Sequence, residues 1–267
     1  MEPAAGYIEK NKKSWNTRTE AHLKSAFYDL DGFLKGKSSL NEIELRLLGN
    51  IRGKSILHLQ CHFGQDSISL SREGARVTGV DLSDKAIATA QDLAGQMKLD
   101  AQFICCDIYD LPKYLDEQFD IVFTSYGVLA WLPDLEKWAN IISRFLKPGG
   151  KLVLVEFHPV VWMFDDNFDK VIYNYAYSAP IVELESGTYA DRDAEITLES
   201  IVWNHGIGEV VNSLIKCGLN IVSLDELDYS PYNCFNHTIE FEPGKFRIQH
   251  LENFIPMVFS IEAKKNK

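Results

Sequence analysis

From Ser55 onward, short apolar segments alternate with helical patterns, and this alternation restricts the possible folds more than any other feature. Seven segments are strand candidates: 55–59, 75–80, 101–106, 119–125, 151–155, 219–224 and 257–263. Several of them are continuous apolar runs bounded by turn residues, which is typical of strands that have helices on both faces. This order predicts an α/β fold with a doubly wound, Rossmann-like sheet of seven mainly parallel strands.

The segments between the strand candidates carry start and stop signals for helices. Ser83 and Asp134 are each placed to cap a helix that begins at the next residue. Another helical pattern covers 207–215, and Gly218 is placed to end it. Only Pro231–Pro256 separates the last two strand candidates, and we find no clear crossover helix there. We therefore expect the last strand to run antiparallel to its neighbours.

Two segments lie outside the alternation. Residues 1–50 have a helical, amphipathic pattern and are predicted to form an N-terminal helical lid, which leaves 51–267 as the main domain. Within that domain, residues 157–205 are rich in aromatic side chains and are predicted to form a cap over the carboxyl edge of the sheet. An apolar insert of this kind is typical of a pocket for a small-molecule substrate. The alternatives are a packing lid and a dimer surface.

Composition excludes several classes of protein. The 267 residues are 46% hydrophobic, which is enough for a large core and excludes a disordered chain. The net charge of −11 makes nucleic acid and anionic membranes poor candidates as partners. No apolar run approaches the ~18 residues of a membrane span, no secretory signal is visible, and the five cysteines form no disulfide framework. We expect a cytoplasmic monomer or homodimer.

Polar residues follow several of the predicted strands, and ligands in open α/β sheets bind beyond the carboxyl ends of the strands. The residues at these ends are 60–66, Asp81, Asp107, 125–129 and 156–159. Asp81 follows the first loop at about the interval at which an acidic residue meets a nucleotide ribose. Capping of the following helix is the alternative role of its carboxylate.

The loop Leu59–Asp66 holds a single glycine, Gly64, so it lacks the G-x-G-x-x-G pattern of dinucleotide sites. That pattern uses its glycines to bring the backbone against a pyrophosphate. A ligand without phosphate does not make this demand. S-adenosylmethionine has a ribose and an adenine but no phosphate, and its methionine part would lie along this loop.

Five segments carry a resemblance to a known family through their order and spacing: Ile56–Gly64, Val77–Ser83, Cys106–Ile108, Phe119–Ser125 and Leu146–Leu152. Over residues 15–264 the chain resembles the class I S-adenosylmethionine-dependent methyltransferases. The loop departs from the usual Asp-Leu-Gly-x-Gly-x-Gly, because His58 replaces aspartate, and Gln60 and His62 replace glycines. It is similar to a branch whose loop reads His-Leu-Gln-Cys-His-x-Gly-x-Asp, so we interpret it as a variant loop of a working site.

The resemblance implies which residues hold the cofactor. Trp15 and Asn16 would close over the cofactor, and Gln60, Cys61 and Gly64 would lie along its methionine part. Asp81 would bind the ribose, and Leu82, Asp107 and Ile108 would surround the adenine. Ser125 and Tyr126 would lie near the methionine amine and the reactive methyl. For Trp15 the alternative is an aromatic residue that packs between helices. His58 is interpreted as a residue that orients the loop.

Four polar residues are candidates for the chemistry of methyl transfer: Tyr126, Glu156, His158 and His205. A hydroxyl or ammonium acceptor benefits from a base, whereas an acceptor that is already deprotonated does not. For the glutamate and the two histidines, a structural or capping role is the alternative. No metal site is expected, because His237 and Glu240 have no third ligand predictably near them.

The leading hypothesis is a methyltransferase that uses S-adenosylmethionine and acts on a small molecule. A second hypothesis is a module that binds the cofactor without catalysis, because the loop lacks two of the usual glycines. A third is a nicotinamide-dependent oxidoreductase on a similar sheet, against which the loop with one glycine argues. Cofactor binding followed by turnover against a broad panel of acceptors separates the three.

Overall fold

The computed structural model describes residues 6–176 and 179–267. Its α-helices are α1 Tyr7–His22, α2 Leu30–Leu34, α3 Glu42–Leu48, α4 Gln65–Arg72, α5 Asp84–Gln96, α6 Leu135–Phe145 and α7 Ile207–Lys216. Its strands are β1 Ser55–Leu59, β2 Arg76–Asp81, β3 Ala101–Cys105, β4 Phe119–Ser125, β5 Leu146–Phe157, β6 Ile181–Ser186, β7 Thr197–Val202, β8 Leu219–Leu227, β9 Thr238–Glu242, β10 Lys245–Ile248 and β11 Val258–Lys265. Short 3-10 helices cover Ile108–Lys113, Leu129–Trp131 and Val161–Met163.

Seven strands form the main sheet in the order β3-β2-β1-β4-β5-β11-β8. The pairs from β3 to β5 are parallel, and β11 runs antiparallel to both β5 and β8. The predicted α/β, doubly wound sheet with an antiparallel last strand is therefore confirmed. The strand order reverses between β1 and β4, and a ligand crevice is expected beyond their carboxyl ends.

The connection between β8 and β11 explains the direction of the last strand. It contains a small antiparallel hairpin of β9 and β10 instead of a crossover helix. A parallel neighbour would need a crossover of a dozen or more residues, usually a helix. An antiparallel strand has no such requirement, so the lack of a helical pattern in Pro231–Pro256 was an informative signal.

The predicted helix signals have the expected local geometry. The Ser83 hydroxyl accepts a hydrogen bond from the Ala86 N–H at the start of α5. The Asp134 carboxylate accepts one from the Lys137 N–H at the start of α6. Gly218 has a φ of 82° and directly follows the last turn of α7, so it ends the helix as predicted.

The sheet is buried on both faces. All five residues of β1 are buried, and Leu152–Val155 of β5 have no exposed surface. One face packs against α6 and α7, and the other packs against α3. The polar groups that end the strands are therefore presented from a rigid core, which suits a binding site.

The helices predicted within 1–50 are present over Tyr7–Leu48, whereas residues 1–5 of the predicted lid lie outside the described part of the chain. The amphipathic pattern expected there is wrong for α1, because the buried residues of this helix are polar. They are Asn11, Ser14, Arg18, Thr19 and His22. A helix with such a face docks through hydrogen bonds instead of apolar contacts.

The partner of α1 is β7, which forms a two-stranded sheet with β6 inside the insert 157–205. Asn11 Nδ2 donates to Ile201 O at 2.8 Å, and Asn11 Oδ1 accepts from Ile201 N at 2.9 Å. The hydroxyls of Ser14 and Ser200 are 3.1 Å apart. The helix and the hairpin thus form one layer.

We predict that Asn11→Ala loosens α1 from the insert. The substitution leaves the N–H and C=O of Ile201 without their side-chain partners, and each unpaired buried group costs about 1–3 kcal/mol. Amide hydrogen exchange should become faster in α1 and β7 but not in β1 or β4. Asn140→Ala is the control, because the Asn140 amide donates to Glu136 O at 3.0 Å on an exposed face of α6. Equal exchange in Asn11→Ala and the unmodified protein would contradict this docking.

Candidate functional site

A cavity of about 1000 Å³ lies beyond the carboxyl ends of β1, β2 and β4. Ten residues predicted to bind the cofactor line it: Trp15, Gln60, Cys61, Gly64, Asp81, Leu82, Asp107, Ile108, Ser125 and Tyr126. Residues of α1 and of the insert also contribute to the lining. The volume is at the upper end of the range for small-molecule sites, so the cavity has room for more than one small ligand.

The loop after β1 takes left-handed backbone conformations without glycine. Gln60 has a φ of 55° and His62 a φ of 51°, and such positions cost about 1–3 kcal/mol each for other residues. Gln60 Nε2 donates to Val128 O at 2.9 Å, and His62 N donates to Asp81 Oδ2 at 2.8 Å. These bonds hold the variant loop in a defined shape.

Gly64 is the one position of the loop where a side chain cannot fit. Its φ is 79°, and a Cβ there would lie 2.8 Å from Ala90 Cβ and 2.8 Å from Phe103 Cε1. Gly64 also directly precedes α4. The close approach of α5 and β3 therefore explains why a loop that lacks the other glycines keeps this one.

Asp81 joins the two loops at the floor of the cavity. Its Oδ2 accepts from His62 N and its Oδ1 accepts from Ser83 N, both at 2.8 Å. Burial raises the pKa of Asp81 to about 6. Each carboxylate oxygen keeps a further lone pair, so the bond to the start of α5 and a bond to a ribose hydroxyl are compatible.

Asp107 stands in a similar way at the end of β3. Its Oδ1 accepts from Tyr109 N at 3.0 Å, and burial raises the pKa of its carboxyl. The next residue, Ile108, is buried and packs in the core below the cavity. Both residues have the positions that the resemblance implies for a contact with a base.

Gln60 presents a buried acceptor to the cavity. Its Nε2 is bound to Val128 O, whereas its Oε1 is buried and has no hydrogen-bond partner among the described residues. Such an acceptor costs about 1–3 kcal/mol when it stays unpaired. A ligand with an N–H donor, such as the ammonium of a methionine, would satisfy it.

Tyr126, predicted as both a cofactor-binding and a catalytic residue, lies just after β4 with a φ of 39°. Its hydroxyl donates to Glu44 Oε2 at 2.9 Å. Burial, and next the charge of Glu44, raises the pKa of Tyr126 well above its usual value. The hydroxyl is therefore a neutral donor near pH 7 and is unsuited to act as a base.

Glu156, one of the predicted catalytic residues, does not line the cavity. Its carboxylate lies under the loop after β4 and accepts four backbone hydrogen bonds. The donors are the N–H groups of Gly127, Val128 at 2.7 Å, Leu129 at 3.0 Å and Phe157 at 2.6 Å. This arrangement favours the structural alternative: Glu156 fixes the loop that follows Tyr126.

The two predicted catalytic histidines also lie outside the cavity lining. His158 Nε2 is 2.8 Å from Glu226 Oε1, and burial lowers the pKa of His158. His205 is buried, with Nε2 2.7 Å from Leu132 O and Nδ1 3.0 Å from Glu209 Oε2. The geometry therefore favours structural roles for both histidines, and we do not retain them as catalytic candidates.

The two predicted closing residues of α1 differ in position. Trp15 lines the cavity, with its ring 5.1 Å from Trp131 and 5.2 Å from His62 between centroids. Asn16 does not line it, because Asn16 Oδ1 accepts from the Ser83 hydroxyl at 2.6 Å and ties α1 to the start of α5. Asn16 is thus placed to hold the helix that carries Trp15.

Part of the cavity lining is not among the residues predicted to bind the cofactor. Tyr28, Asp66, Tyr189 and Phe235 line it, and Glu44 lies directly behind it. The sequence did contain a signal for Asp66, because this residue is the aspartate of the Gly-x-Asp portion of the loop. Glu44 belongs to a capping box with Asn41, which indicates a helix start but not a binding site.

Comparison with known proteins agrees with this arrangement. Residues 57–154, from within β1 to within β5, match the family described as "Methyltransferase domain". This segment of the chain is therefore similar to a methyltransferase domain. A ubiquinone biosynthesis O-methyltransferase of Coxiella burnetii is 34% identical over 124 residues, which are 45% of this chain and 52% of that protein. The chain therefore spans about half the length of this curated relative.

Solved structures extend the likeness beyond the matched segment of the methyltransferase domain. An S-adenosylmethionine-dependent methyltransferase from Mesorhizobium loti superposes with a TM-score of 0.56 over 87% of this chain and 100% of that one, at 20% identity. The structure of a DhpI–SAH complex gives a TM-score of 0.56 over 99% of both chains, at 19% identity. At these identities the comparison shows the fold.

Proposed function

We propose that the protein transfers a methyl group from S-adenosylmethionine to a small-molecule acceptor. The observation that carries the proposal is the cavity, in which the loop Gln60–Gly64 meets Asp81 and Asp107 at the carboxyl ends of three neighbouring strands. The name of the Coxiella burnetii relative, an O-methyltransferase of ubiquinone biosynthesis, supports a small-molecule acceptor. The DhpI structure is a complex with SAH, which supports the cofactor.

The residues of the cavity fit S-adenosylmethionine. Gln60 Oε1 would accept from the ammonium of the methionine, Asp81 would accept from the ribose hydroxyls, and Asp107 from the adenine amino group. When bound, the cofactor supplies a methyl group on a sulfonium, and the protein supplies position and exclusion of water. A nicotinamide dinucleotide fits less well, because the loop with one glycine offers no pyrophosphate cradle.

The cavity also favours an enzyme over a module that only binds the cofactor. Its lining continues past the cofactor residues to Tyr28, Asp66, Tyr189 and Phe235, a set that combines aromatic rings with one carboxyl group. Such a mixture of apolar walls and few polar groups is typical of a substrate pocket. We infer that the acceptor binds on this side.

Two measurements test the proposed function. Calorimetry should show binding of S-adenosylmethionine and S-adenosylhomocysteine but not of NAD. Isotope-labelled methyl groups should then pass to at least one member of a panel of phenols, amines, thiols and carboxylic acids. Binding of the cofactor without any transfer would favour the binding module, and binding of NAD alone would favour an oxidoreductase.

We predict that Asp81→Ala weakens the binding of S-adenosylhomocysteine by about 10- to 100-fold. Loss of hydrogen bonds to a charged group costs about 1–3 kcal/mol, and the substitution also frees His62 N. Because the pKa of Asp81 is raised to about 6, affinity for the unmodified protein should fall as the pH drops from 7 to 5. Asp92→Ala is the control, since Asp92 is exposed on α5 and does not line the cavity. An unchanged calorimetric affinity would contradict the ribose assignment.

We also propose that residues 1–50 act as a lid and residues 157–205 as a substrate cap. Arg18 of α1 supports this, because it lines the cavity and pairs with Glu185 of β6 at 2.5 Å. If this holds, the lid and cap separate together when ligands enter. Faster hydrogen exchange of α1 and β6 in the free protein than in the complex with S-adenosylhomocysteine would support it.

Location and assembly complete the proposal. We propose a cytoplasmic protein that acts as a monomer or homodimer. All five cysteines are free thiols, which is typical of a reducing compartment. Of the helices in 6–176 and 179–267, none is long and apolar enough to cross a bilayer. Light scattering after size-exclusion chromatography tests the assembly.

A further inference from the structure

Asp66 contributes a carboxyl group to the lining of the cavity. It is the second residue of α4 and lines the cavity, and its Oδ2 is 3.4 Å from the hydroxyl of Ser125 at the end of β4. Because β1 and β4 are adjacent, the start of α4 and the end of β4 meet at the point where the strand order reverses. The family resemblance places the reactive methyl near Ser125 and Tyr126.

No cation of the described part of the chain forms an ion pair with Asp66. Two cationic residues of the lining pair with other carboxylates. Arg18 pairs with Glu185, and Lys37 pairs with Asp29 at 2.8 Å. The hydroxyls of Ser39 and Ser125 are the hydrogen-bonding groups beside Asp66. Asp66 therefore keeps lone pairs for a ligand.

The titratable groups that face Asp66 come from several elements. They are Tyr28 before α2, Glu44 on α3, Cys61 in the loop after β1, Tyr126 after β4 and Tyr232 after β8. Glu44 is already satisfied, because it accepts from Asn41 N, Asn41 Nδ2 and the Tyr126 hydroxyl. Burial, together with the charge of Glu44, raises the pKa of Asp66 to about 7.

The side of the cavity next to Asp66 has aromatic walls. The ring of Tyr126 is 5.0 Å from that of Tyr232, and Phe235 is 5.0 Å from Phe157 and 5.7 Å from Trp162. All five residues line the cavity. Walls of this kind suit an aromatic or apolar ligand that carries one polar group near the carboxylate.

We propose that Asp66 is a catalytic residue of the proposed methyl transfer and accepts the proton of a hydroxyl or ammonium group on an aromatic or apolar acceptor. The inference rests on the proposed function. For a hydroxyl, an oxygen lone pair forms the bond to the methyl carbon, the carbon–sulfur bond breaks with its electron pair left on sulfur, and the proton passes to Asp66. For an ammonium, the proton passes to Asp66 first and frees the nitrogen lone pair.

The first test needs no acceptor. Carboxyl resonances of the protein labelled with ¹³C-aspartate are titrated in the unmodified protein and in Asp66→Asn. The resonance that is missing from the variant should titrate near pH 7. A midpoint below pH 5 would overturn the proposal, because such a carboxylate is too weak a base to take a proton from these groups.

The second test is kinetic and uses an acceptor found with the panel. Asp66→Asn should lower kcat by about 100-fold or more, the typical contribution of a general base, while calorimetric affinity for S-adenosylhomocysteine stays within about threefold. The unmodified protein should gain activity as the pH rises through 7, and Asp66→Asn should lose that rise. Asp66→Glu, which keeps the carboxylate, should recover part of the rate.

Asp92→Asn is the matched control, because Asp92 is an exposed carboxylate on α5 that lies outside the cavity lining. It should keep kcat and the pH profile. An Asp66→Asn variant with unchanged kcat would overturn the proposal. So would an equal loss of S-adenosylhomocysteine affinity, which would assign Asp66 to the cofactor.

The members of the acceptor panel distinguish a hydroxyl acceptor from an ammonium acceptor. They also distinguish a failure of the role of Asp66 from a failure of the proposed function. Transfer to phenols alone identifies a hydroxyl acceptor, and transfer to amines alone identifies an ammonium. Transfer to thiols alone would overturn the role of Asp66 and leave the proposed function intact. If the unmodified protein methylates no member of the panel, the result counts against the proposed function. The carboxyl titration still tests the role of Asp66 in that case, because it needs no acceptor.

Discussion

Glu156→Ala is expected to lower the free energy of unfolding by about 3 kcal/mol or more. The substitution removes the acceptor of four backbone N–H groups in a buried setting, and each buried donor left unpaired costs about 1–3 kcal/mol. Urea denaturation measures the change. Glu117→Ala is the control, because Glu117 is exposed and surface substitutions usually change stability by less than about 0.5 kcal/mol.

This prediction separates two interpretations of the same residue. A catalytic base at Glu156 would lose activity on substitution while the protein kept its stability. An anchor under the loop that follows Tyr126 would lose stability first. Glu156→Ala that unfolds at the same urea concentration as the unmodified protein but has no turnover would contradict the structural role.

Gly64→Ala is expected to destabilise the protein by about 2–6 kcal/mol. A left-handed backbone position costs a residue with a side chain about 1–3 kcal/mol, and overpacking of a core costs about 1–3 kcal/mol more. The added methyl group would lie 2.8 Å from both Ala90 and Phe103. The loop would have to move away from α5, so affinity for S-adenosylhomocysteine should fall as well.

Gly95→Ala is the matched control for this substitution. Gly95 lies inside α5, and an added Cβ meets no atom within 4 Å. Alanine in an open helical position stabilises by about 0.5–1 kcal/mol. Opposite signs for the two substitutions in thermal or urea unfolding would support the packing described for the loop. A Gly64→Ala variant as stable as the unmodified protein would count against it.

The main sheet was predictable because its signals are local. Each buried strand is a short apolar run, and helix caps such as Ser83 and Asp134 act within a few residues of their own position. The docking of α1 was not predictable, because its buried face consists of polar side chains whose partners lie in β7. A buried polar face needs hydrogen-bond partners at specific positions. The periodicity of apolar residues does not indicate where such partners lie.

Some residues of the candidate site were also predictable from the sequence, and others were not. Asp81 and Asp107, which are predicted to bind the cofactor, follow strand ends, so recognition of the strands placed them at one edge of the sheet, where both line the cavity. Glu156 follows the predicted strand 151–155 and lies near the end of β5, yet its carboxylate accepts from the N–H groups of Gly127–Leu129 and does not line the cavity. The direction of a side chain depends on the loop beside it, which the position in the strand does not reveal.

The sequence by itself determined the α/β sheet and its antiparallel last strand, and it predicted ten residues that line the cavity, because strand ends and loops are recognisable from consecutive residues. Only the tertiary structure showed how the side of the cavity proposed for the acceptor is assembled, although Tyr126 was predicted near the reactive methyl. Tyr28, Glu44, Asp66, Tyr126 and Tyr232 come from five separate parts of the chain. The pKa of a carboxyl such as Asp66 depends on the burial and charges around it, and these exist only after those segments have packed together.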